Sequence, residues 1–179
     1  GGSPGGGTFA GGNASGGRTF GIFTGISDYP GSGSDLDFTA GDAIRVRDAL
    51  IRGGGMLPED AVTLTDQDAT VANLENALDE IASKAGPNDT FVFFYSGHGG
   101  RLERSAGPET SDPDALDETL VLYDGEIRDD DMRDFLEPIH AGTTLLFLDS
   151  CFSGGFSKDV ISVPGRMGMF SSEEDVTSQ

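Results

Sequence analysis

The chain has 179 residues, a formal net charge of −20 and a single cysteine, which excludes an internal disulfide. The length suits one domain with a sizeable core. The strong negative charge argues against nucleic acid and anionic membranes as partners and favours cationic ones, such as basic peptides or metal ions. Solubility or a high-salt habitat would explain the same charge, because lysine occurs only at positions 84 and 158. No apolar run is long enough for a signal peptide or a membrane span, so we expect no membrane partner and a cytoplasmic protein.

Strand-like and helix-like segments alternate along most of the chain. Residues 1–17 are mostly Gly, Ser and Asn and predict a flexible linker, which leaves residues 18–179 as the folded domain. Strands are predicted at 18–26, 61–65, 90–95, 119–123, 143–148 and 167–170, and helices at 36–51, 68–85 and 129–138. Asp68 is the candidate cap of the second helix, and the polar stretch 101–116 predicts a surface loop. This alternation predicts an α/β fold with a mostly parallel sheet and helices on both faces.

Two polar clusters follow the two most apolar strands of this scheme, SGHGG at 96–100 and DSCFSGG at 149–155. Ligands of parallel sheets bind beyond the carboxyl ends of the strands, so adjacent strands would bring His98 and Cys151 together. A thiol becomes a good nucleophile when a neighbouring imidazole takes its proton. The pattern predicts a catalytic pair, although a loop histidine and a buried cysteine are each common by themselves.

The sequences around both clusters resemble one known family of peptidases. FVFFYSGHGG at 91–100 and LLFLDSCFSGG at 145–155 resemble the two catalytic blocks of caspase-like peptidases, with the histidine about 50 residues before the cysteine. The residues around Cys151 resemble the metacaspases and their bacterial relatives rather than the caspases. GISDYPG at 25–31 and LDFTAGDA at 36–43 resemble the metacaspase segment before the first helix. The resemblance covers residue 19 to the end and implies a caspase-like three-layer sandwich.

The resemblance implies a role for each residue that matches the family pattern. Cys151 would attack the scissile carbonyl, His98 would act as general base and acid, and the N–H groups of Gly99 and Cys151 would form the oxyanion hole. An acidic first specificity pocket would select Arg or Lys before the cleaved bond and would be lined by Thr39, Asp42, Ser96 and Asp149. Two carboxylates in one pocket suit a guanidinium or an ammonium group, although Asp42 is equally explained as an acid on a helix surface.

The resemblance also implies calcium as a cofactor, bound by Asp117, Asp129, Asp130 and Asp159. Calcium takes six to eight oxygen ligands, which clustered carboxylates provide. The alternative is that the aspartates at 129–131 begin a helix and complement its dipole without any metal.

Further expectations concern processing and partners. The turn-rich segment 163–167 follows the nucleophile, and the family often cleaves itself after a basic residue near this position. Arg166 is therefore the first candidate for self-cleavage and Lys158 the second. Residues 170–179 resemble the start of the small-subunit region; the rest of that region is expected on a second chain or lost by truncation, and we expect a monomer. His140 lies in neither block and is expected to be structural or to face solvent. Competing readings are a silent caspase-like scaffold that binds partners or calcium, and a related cysteine peptidase with another first-pocket preference.

Overall fold

The central strands form from runs of β-branched, aromatic and other apolar residues, which favour a pleated, buried surface. A computed structural model describes residues 16–31, 33–103, 116–151, 156 and 160–171. The strands are β1 (Thr19–Gly25), β2 (Ala61–Thr65), β3 (Thr90–Ser96), β4 (Gly99–Glu103), β5 (Leu116–Val121), β6 (Glu126–Arg128), β7 (Thr143–Asp149) and β8 (Arg166–Phe170). The helices are α1 (Thr39–Gly53), α2 (Val71–Lys84) and α3 (Asp129–Leu136), with short 3-10 turns at Pro58–Asp60 and Asp66–Asp68.

Two sheets divide these strands. The larger has five strands in the order β2-β1-β3-β7-β8, and all four of its pairings are parallel. The smaller has the order β4-β5-β6 and is antiparallel throughout. The mostly parallel α/β fold is therefore confirmed.

The hydrophobic core lies on both faces of the larger sheet, as a parallel sheet requires. On one face, buried residues of α2 and α3, including Leu74, Ile81 and Met132, join side chains such as Phe93 and Leu146 from the strands. On the other face, Ala43 of α1 packs in a smaller buried cluster with Phe23, Met56 and Val92. The helices thus cover the sheet from both sides, which makes the three layers expected from the sequence.

Three local predictions need correction. Residues 101–103 belong to β4 rather than to a loop, because they pair with the first half of β5; β5 itself begins at Leu116. The cap of α2 is Thr70, whose hydroxyl accepts the N–H of Asn73 at 3.2 Å, whereas Asp68 ends the preceding 3-10 turn. The linker prediction for 1–17 falls almost wholly outside the described residues. In the part of the chain that the structure describes, no helix combines the length and apolarity needed to cross a bilayer.

Candidate active site

The carboxyl edge of the larger sheet brings the two polar clusters together. β3 and β7 are neighbours, and their last paired residues are Ser96 and Asp149. Just beyond that pair, the N–H of Gly97 donates to the carbonyl oxygen of Asp149 at 3.2 Å. The two strands therefore place His98 and Cys151 on adjacent loops. We call Ser96, His98, Asp149 and Cys151 the sheet-edge cluster.

The backbones of the two loops touch at Gly99. A Cβ atom on Gly99 would collide with the carbonyl oxygen of Cys151 and would lie 3.2 Å from the Ser150 hydroxyl. Only glycine permits this approach, because every other residue carries a Cβ. The main chain after the histidine is thus adjacent to the main chain of the cysteine, as converging N–H donors of an oxyanion hole require.

The imidazole of His98 is held by the loop that follows β1. Its Nε2 lies 2.7 Å from the carbonyl oxygen of Ser34, and its ring centroid lies 4.8 Å from that of Tyr29. A carbonyl oxygen only accepts hydrogen bonds, so we assign the proton of neutral His98 to Nε2 and the lone pair to Nδ1. The lone pair of Nδ1 can then act as a base. The sequence analysis missed Ser34 and Tyr29, although a turn after a strand at the carboxyl edge is a signal that could have found them.

The backbone of His98 is held from below by two phenols. The hydroxyl of Tyr29 accepts the His98 N–H at 2.8 Å. The hydroxyl of Tyr95 lies 2.7 Å from the carbonyl oxygen of His98 and 2.7 Å from that of Val121. Burial raises the pKa of Tyr29 and raises that of Tyr95 well above its usual value, so both phenols stay protonated at neutral pH.

Cys151, the single cysteine of the chain, is half-buried at the start of the loop after β7. The preceding residue, Ser150, is 2% exposed, and its carbonyl oxygen accepts the hydroxyl of Ser171 at 3.2 Å. The end of β7 is thereby tied to the end of β8, which fixes the base of the cysteine loop.

Three of the four predicted specificity residues lie along the same edge. Gly25, Ser96 and Asp149 are paired across β1, β3 and β7, and a Cβ on Gly25 would collide with the carbonyl oxygen of Thr39 at the start of α1. Asp42 lies one turn into α1, where it forms an exposed ion pair of 2.8 Å with Arg45. Thr39, Ser96 and Asp149 therefore lie at this edge, and Asp42 lies one turn further along α1.

The residues at the edge differ in whether their side chains are accessible to a ligand. The carboxylate of Asp149 is exposed, whereas Ser96 is 1% exposed and cannot present its side chain to a ligand in this state. The hydroxyl of Thr39 donates to the carbonyl oxygen of Ile26 at 2.5 Å and so holds α1 against β1.

A cavity of about 240 Å³ adjoins Asp149. Its walls are otherwise mostly apolar and come from β3, β7 and β8: Phe94, Phe147, Leu148, Met169, Phe170 and Ser171. A long basic side chain fits such walls, because its methylene stem packs on apolar surface while its charged end meets a carboxylate.

Two of the predicted calcium ligands have arginine partners. Asp117 is 2% exposed and accepts the guanidinium of Arg128 at 3.0 Å. Asp130 accepts Arg133 at 2.6 Å. Asp129 is fully buried, and its Oδ1 accepts the N–H of Asp130 at 2.9 Å. We call Asp117, Asp129 and Asp130 the acidic segment; the fourth predicted ligand, Asp159, lies outside the described residues.

The described part of the predicted calcium site lacks a preformed ligand cluster. Among the residues that the structure describes, no group of three or more His, Cys, Asp or Glu side chains is placed to hold an ion. Calcium would have to displace Arg128 and Arg133 from their carboxylates. The capping alternative has direct support, because the three aspartates begin α3 and the Asp131 carboxylate accepts the Arg128 N–H at 3.4 Å.

The remaining predicted residues differ in their accessibility. His140 is exposed, as expected for a residue outside the site. Arg166 is the first residue of β8, pairs with Thr144 and donates from Nη1 to the carbonyl oxygen of Val160 at 3.0 Å. The bond after Arg166 thus lies within a paired strand. Lys158 lies outside the described residues.

The three layers and the adjacent His and Cys loops define the class, that of the caspase-like peptidases. Residues 21–159 match the family "Metacaspase, peptidase C14 domain". The chain belongs to the metacaspase family.

Individual relatives agree with this assignment. The chain is 35% identical over 135 residues to Metacaspase-7 of Arabidopsis thaliana, covering 72% of this chain and 33% of the relative. It is 39% identical over 139 residues to a Metacaspase-1 of Cryptococcus neoformans var. neoformans serotype D, covering 71% and 30%. A crystal structure of protein GSU0716 from Geobacter sulfurreducens superposes with a TM-score of 0.63 and 31% identity, covering 76% of this chain and 52% of that one. The chain spans about a third of the length of these curated relatives.

Proposed function

We propose that this chain carries the catalytic centre of a cytoplasmic cysteine endopeptidase that cleaves peptide bonds after Arg or Lys. The observation that carries the proposal is the adjacency of the His98 and Cys151 loops at the carboxyl edge of β3 and β7, with Nε2 of His98 held by a carbonyl oxygen. A histidine whose one nitrogen is fixed as a donor presents the other as a base.

The first half of the reaction forms an acyl-enzyme. Nδ1 of His98 takes the proton of the Cys151 thiol, and the sulfur attacks the scissile carbonyl carbon. The carbonyl π electrons move to oxygen, where the N–H groups of Gly99 and Cys151 stabilise the negative charge. When the tetrahedral intermediate collapses, the C–N bond breaks and Nδ1–H of His98 protonates the leaving amine. The product is a thioester on Cys151, and the imidazole is neutral again.

The second half hydrolyses the thioester. Nδ1 of His98 removes a proton from water as its oxygen attacks the thioester carbon. When this second tetrahedral intermediate collapses, the C–S bond breaks, the carboxylic acid product is released, and Cys151 leaves as a thiolate that regains its proton from Nδ1–H of His98. The Ser34 carbonyl holds Nε2–H throughout both halves, so the imidazolium formed in each step keeps its orientation.

The preference for Arg or Lys is supported by the cavity beside Asp149. Its apolar walls suit the methylene stem of a basic side chain, and Asp149 provides the opposite charge. Asp42 would add a second carboxylate if a substrate guanidinium displaced Arg45, and that exchange is cheap because exposed ion pairs contribute only about 0–1 kcal/mol. Basic peptides or proteins are the expected partners of a chain with a net charge of −20.

Hydrolysis of peptide reporters ending in Arg, Lys or Asp tests the proposal, with and without calcium. We expect turnover of the Arg and Lys reporters and none of the Asp reporter. Cys151→Ala is the matched control, since it removes one sulfur atom from the same protein. Equal turnover of parent and control, or a preference for Asp, would contradict the proposal. Binding of calcium without turnover of any reporter would favour the silent scaffold.

Two further parts of the proposal concern the rest of the molecule. Self-cleavage after Arg166 requires β8 to leave β7, because the scissile bond lies within the paired strand. We therefore expect it to be slow and to occur between molecules, and mass spectrometry of parent and Cys151→Ala after incubation would show it. We also propose that the pocket wall beyond β8 is completed by the small-subunit region, on a second chain or in a longer form of this protein.

A further inference from the structure

Two of the three tyrosines of the chain meet directly beneath His98. Tyr29 comes from the loop after β1 and is 5% exposed; Tyr95 is the penultimate residue of β3 and is fully buried. Buried phenols are hydrogen-bonded in nearly all proteins, so burial alone gives them no special role. This pair is distinguished by its partners, which are the main-chain N–H and the main-chain carbonyl of one residue, the proposed catalytic histidine.

The hydrogen bonds around His98 follow from the groups that surround the two phenols. Each phenol has one proton to donate, and the pair meets the carbonyl oxygens of His98 and Val121 and the N–H of His98, while the two hydroxyls also contact each other. The His98 N–H donates to Tyr29, whose hydroxyl lies 3.2 Å from the Val121 carbonyl. With the Tyr29 proton assigned to Val121, the Tyr95 proton is donated to the His98 carbonyl at 2.7 Å, which also accepts the Val121 N–H at 3.0 Å. In this arrangement every group of the His98 main chain is satisfied by a fixed partner.

Gly97 provides an independent sign that this contact is close. A Cβ on Gly97 would lie 2.6 Å from the Tyr29 hydroxyl and 2.7 Å from the Tyr95 hydroxyl. Real Cβ atoms do not approach oxygen so closely, so any other residue at 97 would push both phenols away from His98. The ring of Tyr29 also contacts the imidazole itself, at a centroid distance of 4.8 Å and an interplanar angle of 44°. Backbone and side chain of His98 are thus held by the same residue.

We propose that Tyr29 and Tyr95 are positioning residues that fix the His98 main chain and thereby keep Nε2 on the Ser34 carbonyl and Nδ1 directed to the thiol. This inference rests on the proposed function for its effect on turnover, but not for its effect on the histidine. Both phenols must be neutral to donate, as tyrosine is at neutral pH, and burial, which raises the pKa of each, extends this state to higher pH. Displacements of about 1 Å around a catalytic group are enough to lower a rate by roughly 10²-fold.

The first test observes His98 directly by NMR, in a Cys151→Ala background that prevents self-cleavage. Tyr29→Phe retains the ring and removes the acceptor of the His98 N–H; Tyr95→Phe removes the donor to its carbonyl. We expect the His98 amide to exchange about tenfold faster or more in Tyr29→Phe, and the ring ¹⁵N shifts to move away from a pure Nε2–H tautomer in both variants. The third tyrosine, Tyr123, is half-buried, and Tyr123→Phe is the matched control with no expected change.

The second test separates positioning from binding and from folding. With Cys151 present, each Phe variant should lower kcat on the Arg reporter about tenfold and leave KM within about twofold, because orientation is needed only in the transition state. Gly97→Ala should lower kcat in the same way, because its Cβ would push both phenols away from His98. Tyr29→Leu should lower kcat further than Tyr29→Phe, because it also removes the ring.

The outcomes decide between the two proposals. Unchanged amide exchange and unchanged ring ¹⁵N shifts in both Phe variants would overturn the positioning role, whatever the turnover. A rise in KM with kcat unchanged would overturn it as well. If the parent hydrolyses no reporter while the NMR changes occur, the peptidase proposal fails and the positioning of His98 stands. The two Phe variants change separate positions by one oxygen atom each, so the failure of one to fold leaves the other as a complete test.

Discussion

The resemblance assigned roles to both the sheet-edge cluster and the acidic segment, and the two groups differ in the partners that their side chains have in the structure. At the sheet edge, the register of β3 and β7 places His98 and Cys151 side by side, and the partners of His98 are neutral oxygens of Ser34 and Tyr29. In the acidic segment, Asp117 and Asp130 are bound to Arg128 and Arg133. The register of two neighbouring strands fixes which residues lie side by side at the sheet edge. A run of aspartates has no such register, and each carboxylate pairs with a nearby cation.

The largest expected effect tests the sheet-edge cluster itself. His98→Ala and Cys151→Ala should each lower kcat/KM on the Arg reporter by roughly 10³-fold or more, because the thiolate and its base act as one unit. His140→Ala is the matched control, since it removes the only other histidine from an exposed position. Circular dichroism should show all three variants folded. Near-parental turnover of His98→Ala would show that the adjacency of the two loops serves another purpose.

The next effect concerns specificity and distinguishes the two pocket carboxylates. Asp149→Asn should lower kcat/KM for the Arg reporter about 10- to 100-fold, the usual effect of losing a hydrogen bond to a charged group. Asp42→Asn should lower it less, because Asp42 is exposed and already paired with Arg45. Turnover of a reporter with an uncharged residue before the cleaved bond should change little in either variant. Asp79→Asn, an exposed acid on α2, is the control for general charge. An equal loss for Asp42→Asn and Asp149→Asn would show that both carboxylates meet the substrate.

A smaller effect tests the acidic segment. If calcium binds there, the melting temperature should rise by several degrees at about 100 times Kd, which corresponds to about 2.7 kcal/mol. Magnesium should raise it less, because it gives up its waters reluctantly. Calorimetry on Asp129→Ala/Asp130→Ala should show the site lost.

The arginine partners sharpen that experiment. The side chains of Asp130 and Arg133 are each about two-fifths exposed, and such a pair contributes only about 0–1 kcal/mol. Arg133→Ala should therefore strengthen calcium binding by releasing a ligand. The pair of Asp117 with Arg128 is largely buried and more costly to break. Unchanged affinity in the double aspartate variant would mean that the run only begins α3 and complements its dipole.

The sequence predicted most of the fold and part of the site, for identifiable reasons. The apolar runs at 90–95 and 143–148 predicted two buried parallel strands that end at the same sheet edge, where the clusters behind them can meet. The roles of Ser34 and Tyr29 were not predictable in the same way. Ser34 contributes only a carbonyl oxygen, which every residue has, and Tyr29 acts through contacts 69 positions away along the chain. The arginine partners of Asp117 and Asp130 were not predicted, because the run of acidic residues was considered without the arginines close to it in the sequence.

The smallest expected effect is on stability at high pH and concerns the phenols beneath His98. Burial raises the pKa of Tyr95 well above its usual value of 10.0, and that of Tyr29 less strongly. The folded state therefore retains protons that the unfolded state has lost above about pH 10, and stability falls as pH rises by about 1.4 kcal/mol per pH unit for each such proton. The contribution is present in full below pH 10 and disappears as the pH passes through the folded-state pKa. Tyr95→Phe removes the titrating group, so its unfolding free energy, measured with urea between pH 8 and 11, should decline less steeply than that of the parent. Tyr29→Phe should show a smaller difference of the same sign. Parallel curves for the parent and both variants would mean that the fold does not raise the pKa of either phenol.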